Sequence, residues 1–198
     1  LLAQNRLVST LNMTAGGEAT ANLAQVRLGP DGFELFSLTD CDMIVDVIGY
    51  YTPVGAAVRD GRFVGLPAAR RAYDSRPYVL GDGGTVVVDL TDFVPADAAA
   101  AVLNLTVTDT AGPSYYTVYP YSSATAPEVS SLNVNHASAV RAAAVIAPVP
   151  TTPDGRRRIK VFALRAANII IDVTGYYTNA SAQLSEVGLF VPVDPARI

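Results

Sequence analysis

Tryptophan is absent from this chain, and histidine and cysteine occur once each, as His136 and Cys41. Nucleophilic catalysis needs a base beside its serine or cysteine. Any such chemistry here would pass through His136, in the polar stretch Asn135-His136-Ala137-Ser138. No nucleophile-elbow phrase accompanies it, so His136 reads as an exposed loop residue and the chain as no enzyme. One histidine and one cysteine cannot supply the three or four nitrogen and sulfur ligands of a zinc site. Cys41 reads as a small buried hydrophobe at the start of a strand, or as half of a pair whose partner lies in the missing half of its own unit.

Charge is scarce too. Charged residues make up 16% of the chain, with 14 Lys and Arg against 18 Asp and Glu. The net charge of −4 leaves no basic face, which argues against nucleic acid as a partner. The one basic run, Arg156-Arg157-Arg158, reads as a solvated hairpin tip. No apolar run approaches the roughly 18–20 residues that span a bilayer as a helix, so no membrane span is expected. Asp40 with Asp42, and Asp89 with Asp92, lack the spacing of a calcium loop and read as solvated turn acids. Asp82-Gly83-Gly84 is a tight turn, not a phosphate loop. The sequence therefore calls for no cofactor and no metal.

What remains is half apolar, too much for a disordered chain. The apolar residues follow a period of two. Strands are expected at Thr85–Leu90, Ala101–Thr108, Tyr115–Tyr119, Val129–Val134, Ala139–Val149, Ile159–Leu164 and Asn168–Thr174. Turn signals such as Ala111-Gly112-Pro113 and Pro153-Asp154-Gly155 separate them. The alanine-rich pieces 96–101 and 139–144 have room for a helical turn; one short turn at 96–100 is expected to lead into a strand. About seven short strands without alternating helices predict an all-β fold, an antiparallel β-sandwich of immunoglobulin-like or jelly-roll-like type.

The chain also repeats itself. Ile44-Val45-Asp46-Val47-Ile48-Gly49-Tyr50-Tyr51-Thr52 returns as Ile170-Ile171-Asp172-Val173-Thr174-Gly175-Tyr176-Tyr177-Thr178. Upstream, Phe36-Ser37-Leu38 matches Phe162-Ala163-Leu164, Pro30-Asp31-Gly32 matches Pro153-Asp154-Gly155, and Ser9-Thr10-Leu11-Asn12 matches Ser130-Ser131-Leu132-Asn133. Downstream, Phe63-Val64-Gly65-Leu66 with Arg70 matches Phe190-Val191-Pro192-Val193 with Arg197. Units of this size are domains in tandem. Residues 1–54 read as the second half of one unit, 63–178 as a complete unit, and 185–198 as the start of a further unit or an inter-unit strand. Linkers are expected near 53–62 and 179–189. A half unit has open sheet edges, and the expectation is that another segment or a neighbouring chain fills them.

Inside the repeated phrase, Asp46 and Asp172 are flanked by apolar residues on both sides. Such carboxylates need hydrogen-bond partners; the asparagines of the Leu-Asn strands, Asn12, Asn104 and Asn133, are the candidates. Asp46, Asp172 and these asparagines read as structural core anchors, and Gly49 and Gly175 as residues that turn or bulge the strand end. Tyr115, Tyr119 and Tyr121 share one strand face opposite Tyr116, a possible strip for a carbohydrate or a subunit.

The ordered phrases Leu103–Thr108, Tyr116-Thr117-Val118-Tyr119-Pro120, Ser131-Leu132-Asn133-Val134, Ile171–Tyr177 and Phe190–Ile198 resemble the tandem β-rich repeats of secreted and cell-surface proteins of actinobacteria and related bacteria. In those repeats a phrase of the form FVPLxPxRLLDTR closes the pattern. Here Gly65 replaces its proline, and one residue is added before Asp74. The resemblance implies a β-sandwich, an extracellular or cell-surface setting and no reaction. It points to a non-catalytic structural or assembly module that contacts other subunits or copies of itself by strand edges. The alternatives are a carbohydrate- or surface-binding module that takes a cell-surface glycan and, third, an accessory domain of a secreted hydrolase.

Overall fold

A computed structural model describes residues 9–12, 22–43, 45–52 and 57–197, without the side chains of 46–50, 52 and 190–197. Among the described residues all regular structure is strand, and there is no helix. The ten strands are β1 (Asp46–Thr52), β2 (Phe63–Asp74), β3 (Thr85–Asp89), β4 (Ala98–Thr108) and β5 (Ser114–Pro120), then β6 (Leu132–Val134), β7 (Arg141–Pro148), β8 (Arg158–Ala163), β9 (Asn168–Thr178) and β10 (Leu189–Arg197).

Every ladder is antiparallel. One sheet runs β2-β9-β4-β7, a second β3-β8-β5-β6, and β1 pairs with β10 in a ribbon of its own. The two four-stranded sheets share one core. Leu103, Leu105, Ile169, Ile171 and Val173 from the first meet Val88, Tyr116, Ile159 and Val161 from the second. Each large aliphatic side chain so buried contributes roughly 1.5–3 kcal/mol. The layout is sandwich-like.

β4 alternates as expected but is buried on both faces. Leu103, Leu105 and Val107 point to the core, while Val102, Asn104 and Thr106 lie on the other face and are also buried. The cover is the N-terminal region. Asn104 donates from Nδ2 to the Ser9 carbonyl, and the Ala144 amide donates to Asn22 Oδ1 at 3.1 Å.

Several expected boundaries move. Val129 belongs to a turn, its amide bonded to the Pro127 carbonyl at 2.8 Å and its own carbonyl taken by Thr117 Oγ1 at 2.5 Å. The alanine run makes one turn, with the Ala98 amide on the Pro95 carbonyl at 3.1 Å, and becomes strand at Ala98. β9 does not stop at Gly175; it bulges beside it and runs on to Thr178. β2 answers to none of the expected strands, because Gly65 and Pro67 interrupt its pattern and its partner β9 lies about a hundred residues away.

Candidate assembly junction

The first end of β2 meets the last end of β9 in a register set by one aromatic ring. Phe63 stands opposite Tyr177, Val64 opposite Tyr176 and Gly65 opposite Gly175. A β-carbon on Gly175 would come within 2.5 Å of the Phe63 ring and 2.7 Å of the Val64 carbonyl oxygen, so only glycine admits the ring. The bulge falls on Thr174, between Gly175 and Val173. Gly175 therefore makes room for an aromatic ring beside a bulge in a continuing strand; it does not turn the chain.

The β1–β10 ribbon reproduces this register. Tyr51 lies opposite Phe190, Tyr50 opposite Val191 and Gly49 opposite Pro192, with a shift between Val47 and Gly49. Gly65 and Pro192 thus occupy equivalent places. A β-carbon at Gly65 would meet its nearest neighbour at 3.5 Å, so replacing proline there does not alter the pairing.

The two ribbons touch through their tyrosines. The hydroxyls of Tyr51 and Tyr177 are 2.6 Å apart, and Gln25 Nε2 donates to them at 2.7 and 3.0 Å. The Phe63 ring packs against both, with centroids 4.8 Å from Tyr51 and 5.7 Å from Tyr177. Burial, then the hydrogen bond and repulsion from Tyr177, push the Tyr51 phenol well above its usual ionisation range.

Further along β2 and β9, Asp172 is 1% exposed. Arg71 answers it with Nε at 2.5 Å from Oδ1 and Nη2 at 3.3 Å from Oδ2. Burial raises the Asp172 carboxyl above the ordinary range, and Arg71 pulls against that. Arg71, and none of the expected asparagines, holds this carboxylate. Asn104 is the Cα neighbour of Asp172 across the ladder, but its amide goes to the Ser9 carbonyl and to Thr106 Oγ1 at 3.3 Å. Asn133 is exposed and bonds Ser130 Oγ at 2.9 Å, so it anchors no core. Asn12 is half-buried, with its Nδ2 buried and without a partner among the described residues. The Asp46 side chain lies outside the described residues, but its backbone lies opposite Arg197, just as Asp172 lies opposite Arg71.

This register also moves the repeat alignment by one residue. Arg70 is not the counterpart of Arg197: it stacks over the Phe93 ring at 4.6 Å and donates to the Asp92 carbonyl at 2.9 Å. The extra residue is absorbed where the β2 register shifts between Gly65 and Arg70.

The segments on either side, 57–62 and 179–188, are tied together as well. Val58 and Ser185 exchange backbone hydrogen bonds at 3.0 and 3.1 Å. Arg62 donates to the carbonyls of Gln183 and Val187, at 2.9 and 3.3 Å, and Arg59 to that of Ala182 at 2.7 Å.

The remaining candidates fall elsewhere. Tyr119 is 3% exposed, which corrects its place in an outward row. Lys160 Nζ lies 5.9 Å from its ring centroid and 5.0 Å from that of Tyr121, and the Arg158 guanidinium is 5.3 Å from Tyr121. Tyr115 is half-buried against Phe162, at 5.9 Å. These rings hold cations and neighbours where a sugar platform needs open faces. Cys41 is exposed, not buried, with Sγ 3.3 Å from Ser37 Oγ. Of the arginine run, Arg157 is 7% exposed rather than solvated; its guanidinium donates to the carbonyls of Val94 and Thr91 at 2.8 and 2.9 Å. His136 is in an exposed turn, Nδ1 being 2.8 Å from the Ala137 carbonyl oxygen. Among the described residues no three acids, histidines or cysteines are grouped to hold a metal. A cleft of about 420 Å³ between residues 23–27 and strands β2, β4 and β7 is lined by apolar groups, with Gln25, Arg27, Asn104 and Thr174 as its main polar ones. No family model, no curated protein and no solved structure matches the chain.

Proposed function

We propose that the chain is a non-catalytic structural module of an extracellular or surface assembly. Its β-sandwich units, immunoglobulin-like or jelly-roll-like, repeat in tandem and meet by strand pairing. The observation that carries this reading is the duplicated ladder: β1 takes β10 in the same register in which β9 takes β2. Strand pairing of this kind joins segments through main-chain hydrogen bonds, with side chains fixing the register. The repeated Asp, Gly and Tyr then serve the joint, not a reaction. In this reading Asp46 meets Arg197 as Asp172 meets Arg71.

The test is to break one ladder and leave the other. Val191→Pro removes a backbone donor from β10. Under limited proteolysis the variant should be cut within 22–52 while residues 63–178 stay protected. Equal protection of the N-terminal region in variant and parent would refute the reading. So would binding of a saccharide on a glycan array that Tyr121→Ala abolishes, since the aromatic strand would then be the working surface.

A further inference from the structure

Three pairs of repeat equivalents touch each other or share an unusual conformation. Tyr51 and Tyr177, 126 residues apart, join hydroxyls at 2.6 Å. Val58 and Ser185, which share the offset of Phe63 and Phe190, bond each other in both directions at 3.0 and 3.1 Å. Gly61 and Gly188, at that same offset, both have positive φ, 74° and 96°. A residue that contacts its own equivalent lies beside a two-fold axis, and a contact built around such an axis is isologous. The two ladders on either side obey the same relation, residue for residue, from Phe63 and Phe190 to Gly65 and Pro192.

We infer that the junction is a dimer-type interface folded into one chain, and that β10 is an exchangeable arm whose partner is β1 of a second copy. The inference rests on the structural reading above. In the exchanged pair, β10 of each copy lies on β1 of the other, and each copy keeps its own β2–β9 ladder. The hydrogen bonds of the ladder are the same in both forms, so the difference is confined to the hinge and to the entropy of association. Gly188 is the hinge. The chain before it stays docked through the Val58–Ser185 bonds, while the bond its carbonyl accepts from the Phe63 amide, at 2.8 Å, belongs to the hinge and is released as β10, which begins at the next residue, swings away. A glycine accepts the new dihedral angles that a substituted residue would resist. Pairing within one chain is favoured when dilute, because tethering keeps the arm at millimolar effective concentration. Exchange is favoured by refolding at high protein concentration.

Val47 and Ala196 are Cα partners across the β1–β10 ladder, a placement that suits a disulfide. Two proteins, Val47→Cys and Ala196→Cys, each also carrying Cys41→Ser, are unfolded, mixed, refolded concentrated and oxidised. Exchange predicts a cross-linked dimer holding one chain of each kind, at least severalfold over either like-with-like dimer. A statistical mixture of the three dimers overturns the proposal. The double variant Val47→Cys/Ala196→Cys is oxidised dilute alongside. Cross-linking within one chain, together with a statistical mixture above, rejects exchange and leaves the structural reading standing. No cross-link within one chain overturns both. Tyr50→Cys with Val191→Cys, two pairs along the same ladder, repeats the measurement if a first variant does not fold.

Discussion

Replacing Arg71 with methionine removes the guanidinium that holds Asp172 while keeping much of the side chain's apolar stem. Asp172 is 1% exposed and is held by Arg71 at 2.5 and 3.3 Å, so the variant leaves a carboxylate buried without its cation. Stranding one partner of a buried pair costs about 3–5 kcal/mol. Asp74, which also bonds Arg71 at 2.9 Å, keeps its pairing to Arg76 at 2.6 Å and adds little to the loss. The cost depends on pH. Burial already raises the Asp172 carboxyl, and without Arg71 it rises further. A carboxyl whose folded pKa lies above its unfolded value binds more protons when folded. Stability therefore falls as pH climbs from the ordinary carboxylate value, about 3.9, through the folded one, at about 1.4 kcal/mol for each unit of difference. Urea unfolding followed by tyrosine emission should show a large deficit at pH 7 that shrinks toward pH 4. Adding Asp172→Leu should recover most of it, since an apolar pair can replace a buried ion pair at little cost. A deficit below about 1 kcal/mol, or one of equal size at both pH values, would refute the reasoning.

Gly175→Ala should destabilise the protein by about 1–3 kcal/mol through overpacking against Phe63, whereas Gly65→Ala should change little; thermal melts of the two separate the positions. Arg157→Ala should cost about 2–3 kcal/mol in urea unfolding, because it unpairs the buried carbonyl of Val94 and the part-buried one of Thr91. The hydrogen bond from Arg76 lowers the Asp74 carboxyl to about 2, and bonds from Thr152 and then Arg158 lower Asp154 to about 2. Depressed carboxyls stabilise above their unfolded value near 3.9, and that contribution is lost as pH falls through about 2. Both are near the surface, so NMR titration of the two carboxyls, repeated in high salt, should show the depression weakening as salt screens it.

Period-two apolar patterning carried most of the fold, since a strand half-buried in a sheet leaves that mark wherever it pairs. β3, β5 and β8 lie close to where the alternation of Val86 to Val88, Tyr115 to Tyr119 and Ile159 to Leu164 puts them. β2 escaped because a proline, a glycine and a bulge disrupt its period while its stability comes from β9. The Asp172 partner was misjudged for a related reason. The Leu-Asn strands offer Asn12, Asn104 and Asn133 as partners, but the register shifts in β2 bring Arg71, not Arg70, to the carboxylate. The burial of Arg157 depends on loop 90–95, whose carbonyls take its guanidinium and whose path leaves no periodic trace. One signal of the junction was present: Gly61 and Gly188 each lie two residues before the repeated Phe-Val, which marks a backbone position needing positive φ in both linkers.

The tyrosine pair at the junction divides its hydrogen-bonding roles unequally. Two hydroxyls 2.6 Å apart are joined by a single hydrogen, so one phenol donates and the other accepts. Gln25 offers an N–H to each oxygen and does not choose between them. The two ladders thus match in backbone register, and their paired tyrosines are set apart by the direction of one hydrogen bond. Turning both hydroxyls together exchanges donor and acceptor while each proton stays on its own oxygen, so the bond at the centre of the joint can run in either sense.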